Sequence, residues 1–549
     1  METVTAWLKA PSVIAGLDHL AVQAPCINIY SRLLPGITNV TERARYYTFY
    51  PWFIWSFAQR APSPSAIDFV QSLRRADCLF TLIAERHAYL DRNENGGAND
   101  ERHGIGLVGR NTLTKALKTL CEDGAPLWLP AYATQENVPT RYFQNKFGGL
   151  GQYYRGTLQE LEILNASGRD IIQYTIGRGD TLAEAMDASV DGDFFFRVLT
   201  EDQITAETLD ALAPFCPCYL PVSRSEHQAL VGLFFDRQNL YREEGRQRRS
   251  TLALLLHLIE TLSAQGGNVD DRVFRGCVYT NCLPNHQLWH VPPMLHSTRE
   301  AWSIYVRNDI LSLAIQAIFY VTLAQLDHHA GCHATSQAFA QLFLSTTQAQ
   351  TALDNWTNIQ FATLIETARS TLPALTAWED PRHEHQLACD IRSLKEPSAA
   401  MLHKALEMLV ALVARDNAER PYGPFDFSSD YFGMYPINLQ TLRDHAQGAW
   451  SQLTMSELVA WLVTHWGIDT HLRVALRKLR HELKDTFRVK PTDRGLEYIA
   501  NTGPPVFTNP RFWQAVQILL DIAAIDRNEA GRYVVTTLGH NLLEESCGR

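Results

Sequence analysis

The stretch between Thr41 and Arg60 constrains the fold more than any other part of the chain, because its aromatic residues would surround a helix on every side. These residues are Tyr46, Tyr47, Phe49, Tyr50, Trp52, Phe53, Trp55 and Phe57. A helix that is apolar all round has to be buried between other elements. We therefore expect a helix with Thr41 as its N-cap, kinked or restarted at Pro51, in the middle of a large core.

The same stretch has a second interpretation, a platform on which nucleic-acid bases stack. Arg43, Arg45 and Arg60 would then supply positive charge to the phosphates. Aromatic side chains dominate protein cores, so the buried helix is the favoured interpretation.

Length and composition indicate a folded protein of about two to four domains. The chain has 549 residues, of which 46% are hydrophobic, and its formal net charge is −10. This charge disfavours binding of nucleic acid by the surface as a whole, so such binding requires a local basic patch.

Ten scattered cysteines and the lack of a secretory signal predict reduced thiols in the cytoplasm. The longest apolar run, 310–326, contains Ser, Thr and Gln and is expected to be a buried helix and not a membrane span.

The last hundred residues hold the pattern most typical of a recognition module. An apolar helix over 458–466 is followed by a basic amphipathic helix over 471–484. A short strand at 487–489 and a helix starting near Asp493 come next. Helix, turn, helix, strand pair and closing helix is the order of elements in a winged helix.

The same order returns after a Gly/Pro/Asn break at 501–510, with an apolar helix over 511–525, a polar turn and a strand at 533–535. Its ending consists of Tyr533, Val535, Thr536, Gly539, Leu542 and Leu543. This ending resembles the one that follows the wing in many bacterial winged-helix regulators. Thr536 would cap the closing helix and Gly539 would allow close packing.

The first copy carries the candidate nucleic-acid contacts. They are Arg473, Arg477, Lys478, Arg480, Lys484, Arg488, Lys490 and Arg494. Basic residues spaced by three or four positions line one face of a helix, which suits contact with phosphates, and Lys490 would lie at the tip of a wing. A winged helix that binds an acidic protein partner instead is an alternative of equal weight.

Zinc ligation is a further possibility, since zinc prefers histidine and cysteine ligands in short-range pairs. The candidate groups are Cys216 with Cys218, Cys277 with Cys282, and the cluster of His328, His329, Cys332 and His333. Neither cysteine pair has the spacing of a zinc knuckle. The residues of this last group would lie in pairs on the same face only if the helix were continuous. Gly331 predicts that the helix is interrupted there. We therefore predict no metal ligand and no cofactor, and we keep a metal-dependent enzyme built around 277–333 as an alternative.

Two other stretches, INIYSRLLPGITNVTERARYYTFYPWFIW at 27–55 and PFCPCYLP at 214–221, resemble uncharacterised large helical proteins of bacterial phage-defence operons. The resemblance supplies no named family and no catalytic residue. It implies a cytoplasmic subunit that works with a protein partner encoded nearby. GxSxG, HExxH and Walker sequences are absent, which disfavours an enzyme.

We predict a mainly α-helical, multi-domain protein that ends in an α+β winged-helix region with one or two copies. The expected segments are an N-terminal helical domain over 1–250 with its aromatic segment at 27–60, a central helical domain over 251–415, a linker over 416–450, and the winged-helix region over 451–549. The predicted function is a non-enzymatic subunit for assembly or for binding nucleic acid, with double-stranded DNA as the candidate ligand and no membrane contact. A protein–protein adaptor is the alternative.

Overall fold

The computed structural model describes residues 18–60, 66–95, 100–165, 172–327, 332–416, 425, 429–482 and 485–548. The fold is mainly α-helical, as the sequence predicts. The α-helices are α1 Gln23–Leu33, α2 Tyr46–Arg60, α3 Ala66–Asn95, α4 Arg110–Asp123, α5 Leu129–Ala133, α6 Arg155–Glu160, α7 Gly179–Asp187, α8 Gly192–Thr200, α9 Ala206–Ala211, α10 Arg224–Phe234, α11 Arg242–Ala264, α12 Asp271–Thr280, α13 His296–Asp327, α14 Ser336–Ser345, α15 Thr347–Leu353, α16 Phe361–Thr371, α17 Glu384–Ser393, α18 Ala399–Ala414, α19 Asp430–Met434, α20 Leu439–Gln447, α21 Met455–Trp461, α22 Thr470–Glu482, α23 Phe512–Asp521 and α24 Thr537–Ser546.

Short segments of other kinds connect these helices. The 3-10 turns are Asp100–Arg102, Ala213–Phe215, Pro217–Val222, Pro293–Leu295, Asp354–Trp356 and Ala449–Gln452, and the π-helical segments are Leu150–Tyr154 and Leu462–Asp469. The strands are β1 Leu127–Trp128, β2 Gln203–Ile204, β3 Cys332–His333, β4 Val489–Thr492, β5 Gly495–Tyr498, β6 Ile525–Arg527 and β7 Tyr533–Val535. They form a β1–β2 pair, a three-stranded sheet of order β3-β5-β4, and a β6–β7 pair, all antiparallel.

The chain divides into two compact units, each assembled from separated stretches of sequence. The first unit consists of Met1–Tyr30, Arg272–Val291 and Arg299–Thr508, and the second of Ser31–Asp271, Pro292–Thr298 and Asn509–Arg549. The sequence predicts consecutive segments, whereas both units are discontinuous. The predicted C-terminal region, 451–549, contributes to both of them.

Helix α2 lies in the core of the second unit, which confirms the favoured interpretation of the aromatic stretch. Every residue from Tyr46 to Ile54 is buried, and the ring of Trp52 packs edge-on against Phe195 with centroids 5.3 Å apart. The rings are therefore not available as a surface for bases.

Two details of this helix differ from the expectation. The helix begins at Tyr46, so Thr41 is not its N-cap; the Thr41 hydroxyl oxygen instead accepts a hydrogen bond from the backbone N–H of Thr38 at 2.8 Å. The helix also runs through Pro51 without interruption. Proline removes only one backbone hydrogen bond, and burial of the rings on both sides of it offsets that loss.

The arginines that precede α2 are core residues. Arg43 forms a two-point ion pair with Asp521, and Arg45 forms one with Glu226. All four side chains are at most 2% exposed. The interpretation of Arg43 and Arg45 as phosphate contacts is therefore wrong, because their donors are already satisfied inside the protein.

In the first unit, α13 is the longest helix and the expected buried one. It is long and apolar enough to cross a membrane by length and composition, but 89% of its most apolar window is buried inside the protein. Such burial is typical of the core helix of a soluble protein. The cytoplasmic location remains a prediction.

The basic helix forms where the sequence places it, but the turn before it does not. Helix α21 continues through the π-helical segment 462–469 directly into α22. At the junction, the Thr470 hydroxyl donates to the carbonyl oxygen of His465 at 2.7 Å, which satisfies a backbone group released by the wider π turn. These two predicted helices thus form one continuous helical segment and not a helix-turn-helix.

The helix expected near Asp493 is wrong, because this stretch is the turn of a hairpin. Strands β4 and β5 pair from Val489 opposite Tyr498 to Thr492 opposite Gly495. Gly495 has φ +114, and a Cβ atom there would lie 2.3 Å from the carbonyl oxygen of His333 on β3. Glycine therefore permits both the turn and the close approach of the third strand.

The ending of the second copy forms as predicted. Helix α23 is followed by the β6–β7 hairpin and by α24. The Thr536 side chain caps α24 by accepting from the backbone N–H of Gly539 at 3.2 Å. A Cβ at Gly539 would lie 2.1 Å from the carbonyl oxygen of Ala524, so glycine is needed for this packing.

We expect that breaking a buried ion pair costs much more stability than breaking an exposed one. Replacing Glu226 with alanine leaves the Arg45 guanidinium buried without its carboxylate. We expect the free energy of unfolding of the second unit to fall by about 3–5 kcal/mol, measured by urea unfolding at neutral pH.

Asp193→Ala is the matched control, because Asp193 pairs with Arg60 but has a side chain that is 91% exposed. Its effect should be at most about 1 kcal/mol. Equal losses in the two variants would contradict the assignment of Arg45 and Glu226 to a desolvated core pair.

Candidate functional site

Helix α22 and the β4–β5 hairpin carry the basic residues that the sequence singles out, and only some of them are exposed. Arg473, Arg480, Lys490 and Arg494 are exposed. Lys484 lies outside the described residues. We call the four exposed residues the basic face.

The other candidates are engaged inside the first unit. Lys478 donates to the carbonyl oxygen of Asp18 at 2.6 Å, and the Arg477 guanidinium lies 5.1 Å from the centre of the Tyr435 ring. Arg488 is buried, with its Nε 3.4 Å from Nε2 of His19. Arg488 is therefore buried, whereas Arg477 and Lys478 are half-buried and make these contacts with part of each side chain.

The helical part of the basic face has a simple geometry. Arg473 and Arg480 are two helical turns apart and so lie on the same side of α22. Leu476 lies between them and is 52% exposed. The hairpin is more mixed in charge, because the exposed Asp493 and Glu497 accompany its basic residues. The helix therefore supplies the larger positive excess.

A buried histidine connects α22 to the hairpin. The Nε2 atom of His471 accepts a hydrogen bond from the backbone N–H of Arg488 at 2.8 Å, so its proton is on Nδ1. That nitrogen lies 3.2 Å from the carbonyl oxygen of His19, to which it donates. Burial first, and then the positive charges of Arg488 and Lys478, lower the pKa of His471 to about 4, while the bond to His19 opposes the shift. The neutral imidazole thus fixes the start of β4 against the helix.

The histidine and cysteine cluster at 328–333 does not form the helical face considered above. Helix α13 ends at Asp327 and Cys332–His333 is a strand; His328 and His329 lie outside the described residues. Cys277 and Cys282 are buried. Within the part of the chain that the structure describes, no group of metal-type donors forms around 277–333.

A different set of donors converges in the second unit: His87, His103, Cys216 and Cys218. Their ligand atoms all lie within 4.8 Å of one another. Nδ1 of His87 is 3.4 Å from Sγ of Cys218, and Nδ1 of His103 is 3.3 Å from Sγ of Cys216. His103 and Cys216 are buried, and the other two are half-buried. We call these residues the His/Cys cluster.

Local structure explains how each donor is placed. His87 lies on α3, one turn before Asp91. His103 follows the 3-10 turn Asp100–Arg102. Cys216 and Cys218 lie where two 3-10 turns meet, and prolines in the first turn of each one favour this conformation.

The thiols of the cluster influence each other's ionisation. A hydrogen bond from Cys216, followed by bonds to His103 and His87, lowers the pKa of Cys218 to about 3. Burial raises the pKa of the Cys216 thiol well above its ordinary value. Burial and hydrogen bonding thus act in opposite directions on the pKa values of the two thiols.

Sequence reasoning considered the Cys216 and Cys218 pair but missed both histidines. The signal was weak, because the histidines precede the cysteines by more than a hundred positions and have no metal-binding spacing between them. His87 and Asp91 are four positions apart on α3, but the Asp91 carboxylate lies 3.5 Å from Nε2 of His103, which no spacing in the sequence indicates.

Comparisons with known proteins give no relative. No family model, no curated protein and no solved structure matches the chain. Any function is therefore argued from the residues themselves.

The buried His471 predicts how the first unit responds to acid. A folded-state pKa of about 4 against an ordinary 6.5 means that the neutral form is the stable one in the fold. The stability that the neutral His471 contributes to the fold is fully present above pH 6.5 and is lost as the pH falls through 4. We expect up to about 3 kcal/mol of stability to be lost across this interval, measured by thermal unfolding between pH 7 and 4.

His471→Gln should flatten this part of the pH profile. His403→Gln is the control, because a hydrogen bond to Glu407 raises the pKa of His403 and its contribution has the opposite sign. If His471→Gln loses as much stability between pH 7 and 4 as the wild type does, another group controls the acid sensitivity.

Proposed function

We propose that the protein is a non-enzymatic subunit that binds the phosphate backbone of double-stranded DNA through the basic face and acts together with a partner protein. One observation carries this proposal: Arg473 and Arg480 are exposed on one side of a helix that leads into an exposed hairpin with Lys490 and Arg494. A helix and a hairpin that follow each other in this way can contact the groove and the adjacent backbone of a duplex.

The topology of the first unit supports this proposal. Strand β3 pairs with β5, which pairs with β4, and α14 packs against α21 and the π-helical segment. In a winged helix, a strand between the first two helices pairs with the last strand of the wing. We propose that α13, β3, α14, α22, β4 and β5 form such a domain, with the residues between α14 and α21 as an insertion.

The charge distribution restricts the proposed binding of DNA to the basic face. The chain has a net charge of −10, so attraction to a polyanion has to come from the basic face. Four phosphate contacts would give a slope of log affinity against log salt of about −3.6. A role in an anti-phage system, with an enzymatic partner encoded nearby, belongs to the same proposal and is based on the sequence resemblance alone.

The basic face is tested by charge reversal. The double variant Arg473→Glu, Arg480→Glu should weaken binding to a duplex by roughly tenfold or more and reduce the salt slope by about 1.8. Fluorescence anisotropy with labelled duplex at several salt concentrations measures both quantities.

Arg382→Glu is the matched control, because Arg382 is an exposed arginine of the same unit outside the basic face, with a side chain that is 67% exposed. It should leave affinity and salt slope unchanged. The proposal fails if wild type does not bind duplex, or if the double variant and the control bind alike.

A protein-binding role is the second candidate, and the exposure of Leu476 favours it. An apolar side chain between two arginines is typical of a surface that binds an acidic, partly apolar protein. Leu476→Gln separates the two roles: it should reduce capture of a partner protein while leaving duplex binding intact. Loss of duplex binding in this variant would contradict the separation.

A further inference from the structure

We propose that His87, His103, Cys216 and Cys218 bind one zinc ion in a closed, structural site inside the second unit. This inference is independent of the proposed function, because it concerns a different unit and different residues. It assigns a role to buried side chains that the basic face does not involve.

The distances fit a zinc tetrahedron. Zinc lies about 2.0–2.1 Å from histidine nitrogen and about 2.3 Å from cysteine sulfur, so the nitrogen and sulfur atoms of one site are about 3.5 Å apart. The two closest nitrogen–sulfur distances in the cluster are 3.3 and 3.4 Å. The remaining donor–donor distances lie within 4.8 Å.

The donor types select zinc among the common metals. Two thiolates and two imidazoles are the set typical of structural zinc, whereas magnesium and calcium prefer oxygen. Two thiolates also neutralise the charge of Zn²⁺, so the complete site has no net charge. This matters in a buried location, because an uncompensated charge there is costly. With four protein ligands, no position is left for a reacting water, which makes the site structural and not catalytic.

Groups around the cluster hold the ligands in place. The Asp91 carboxylate oxygen lies 3.5 Å from Nε2 of His103, on the side of the ring away from Cys216. A carboxylate behind a ligand histidine is a usual outer partner in zinc sites, because it fixes the tautomer and the ring orientation. In this tautomer, Nδ1 of His103 is free to bind the metal.

The buried arginines act on the backbone of two ligands. Arg43 donates to the carbonyl oxygen of His103 at 2.7 Å, and Arg45 donates to the carbonyl oxygen of Cys216. Each ligand segment is therefore fixed independently of any metal. Such preorganisation reduces what the ion has to order when it binds.

The experiment measures zinc in the purified full chain, kept reduced. Elemental analysis should find about one zinc per chain. Cys216→Ser with Cys218→Ser should lose it, whereas Cys389→Ser, at a half-buried cysteine outside the cluster, should keep it. After removal of zinc, added Co²⁺ should give the visible bands of a tetrahedral site and a thiolate charge-transfer band in the wild type and the control only.

A second variant does not depend on the folding of the double mutant. Asp91→Asn should keep the ligands but lower zinc affinity by about 10- to 100-fold in competition with a chromophoric chelator. The proposal is overturned if reduced wild type neither contains nor takes up zinc, if another metal binds there in preference, or if the double cysteine variant keeps full zinc occupancy.

Discussion

The second unit depends on satisfying two guanidinium groups at alternate positions in its core. A buried cation needs a carboxylate and a hydrogen-bond acceptor for each remaining donor. Arg43 and Arg45 find their carboxylates in Asp521 and Glu226, which come from distant parts of the chain. Their other donors reach carbonyls beside the proposed zinc site. The same two side chains therefore determine where α2, α10 and α23 can pack.

In the first unit, a neutral imidazole connects the basic helix to the hairpin. His471 accepts from the backbone at the start of the hairpin and donates to the chain near the N-terminus. Hydrogen bonds of this uncharged ring join α22, β4 and the segment at His19. The exposed arginines of α22 therefore project from a helix that hydrogen bonds of His471 fix to the hairpin, so the proposed contact with phosphates would require little ordering of the backbone.

Local sequence patterns predicted the structure correctly where its physical cause is also local. The aromatic stretch of α2 implied burial because no single face could hold its rings, and the Thr536 and Gly539 spacing implied the cap of α24. The same kind of pattern failed at Thr492 and Gly495, where threonine and glycine three positions apart form a hairpin turn. What decides between the two outcomes is strand β3, which lies far away in the sequence and pairs with β5.

The His/Cys cluster and the division into units were beyond sequence reasoning for a related reason. His87 and Cys216 are brought together by the packing of α3 against the turn at Ala213–Phe215, and no spacing rule encodes that packing. The interleaving of the two units likewise depends on contacts between stretches such as Asn509–Arg549 and Ser31–Asp271. Composition can mark a loop, but it does not reveal which distant stretch completes a core.

The interleaved order has a consequence for synthesis on the ribosome. Domains generally fold as units while the chain emerges from its N-terminus, but Asp521 emerges only after all residues of the first unit. Until then the Arg43 guanidinium has no carboxylate partner, although ring partners of α2 such as Phe195 have already been synthesised. A nascent or prematurely terminated chain that stops short of Asp521 would therefore hold a guanidinium without its carboxylate in the core, which lowers its stability and favours recognition by chaperones and proteases. The stability of the core around α2 thus depends on synthesis of the chain through Asp521.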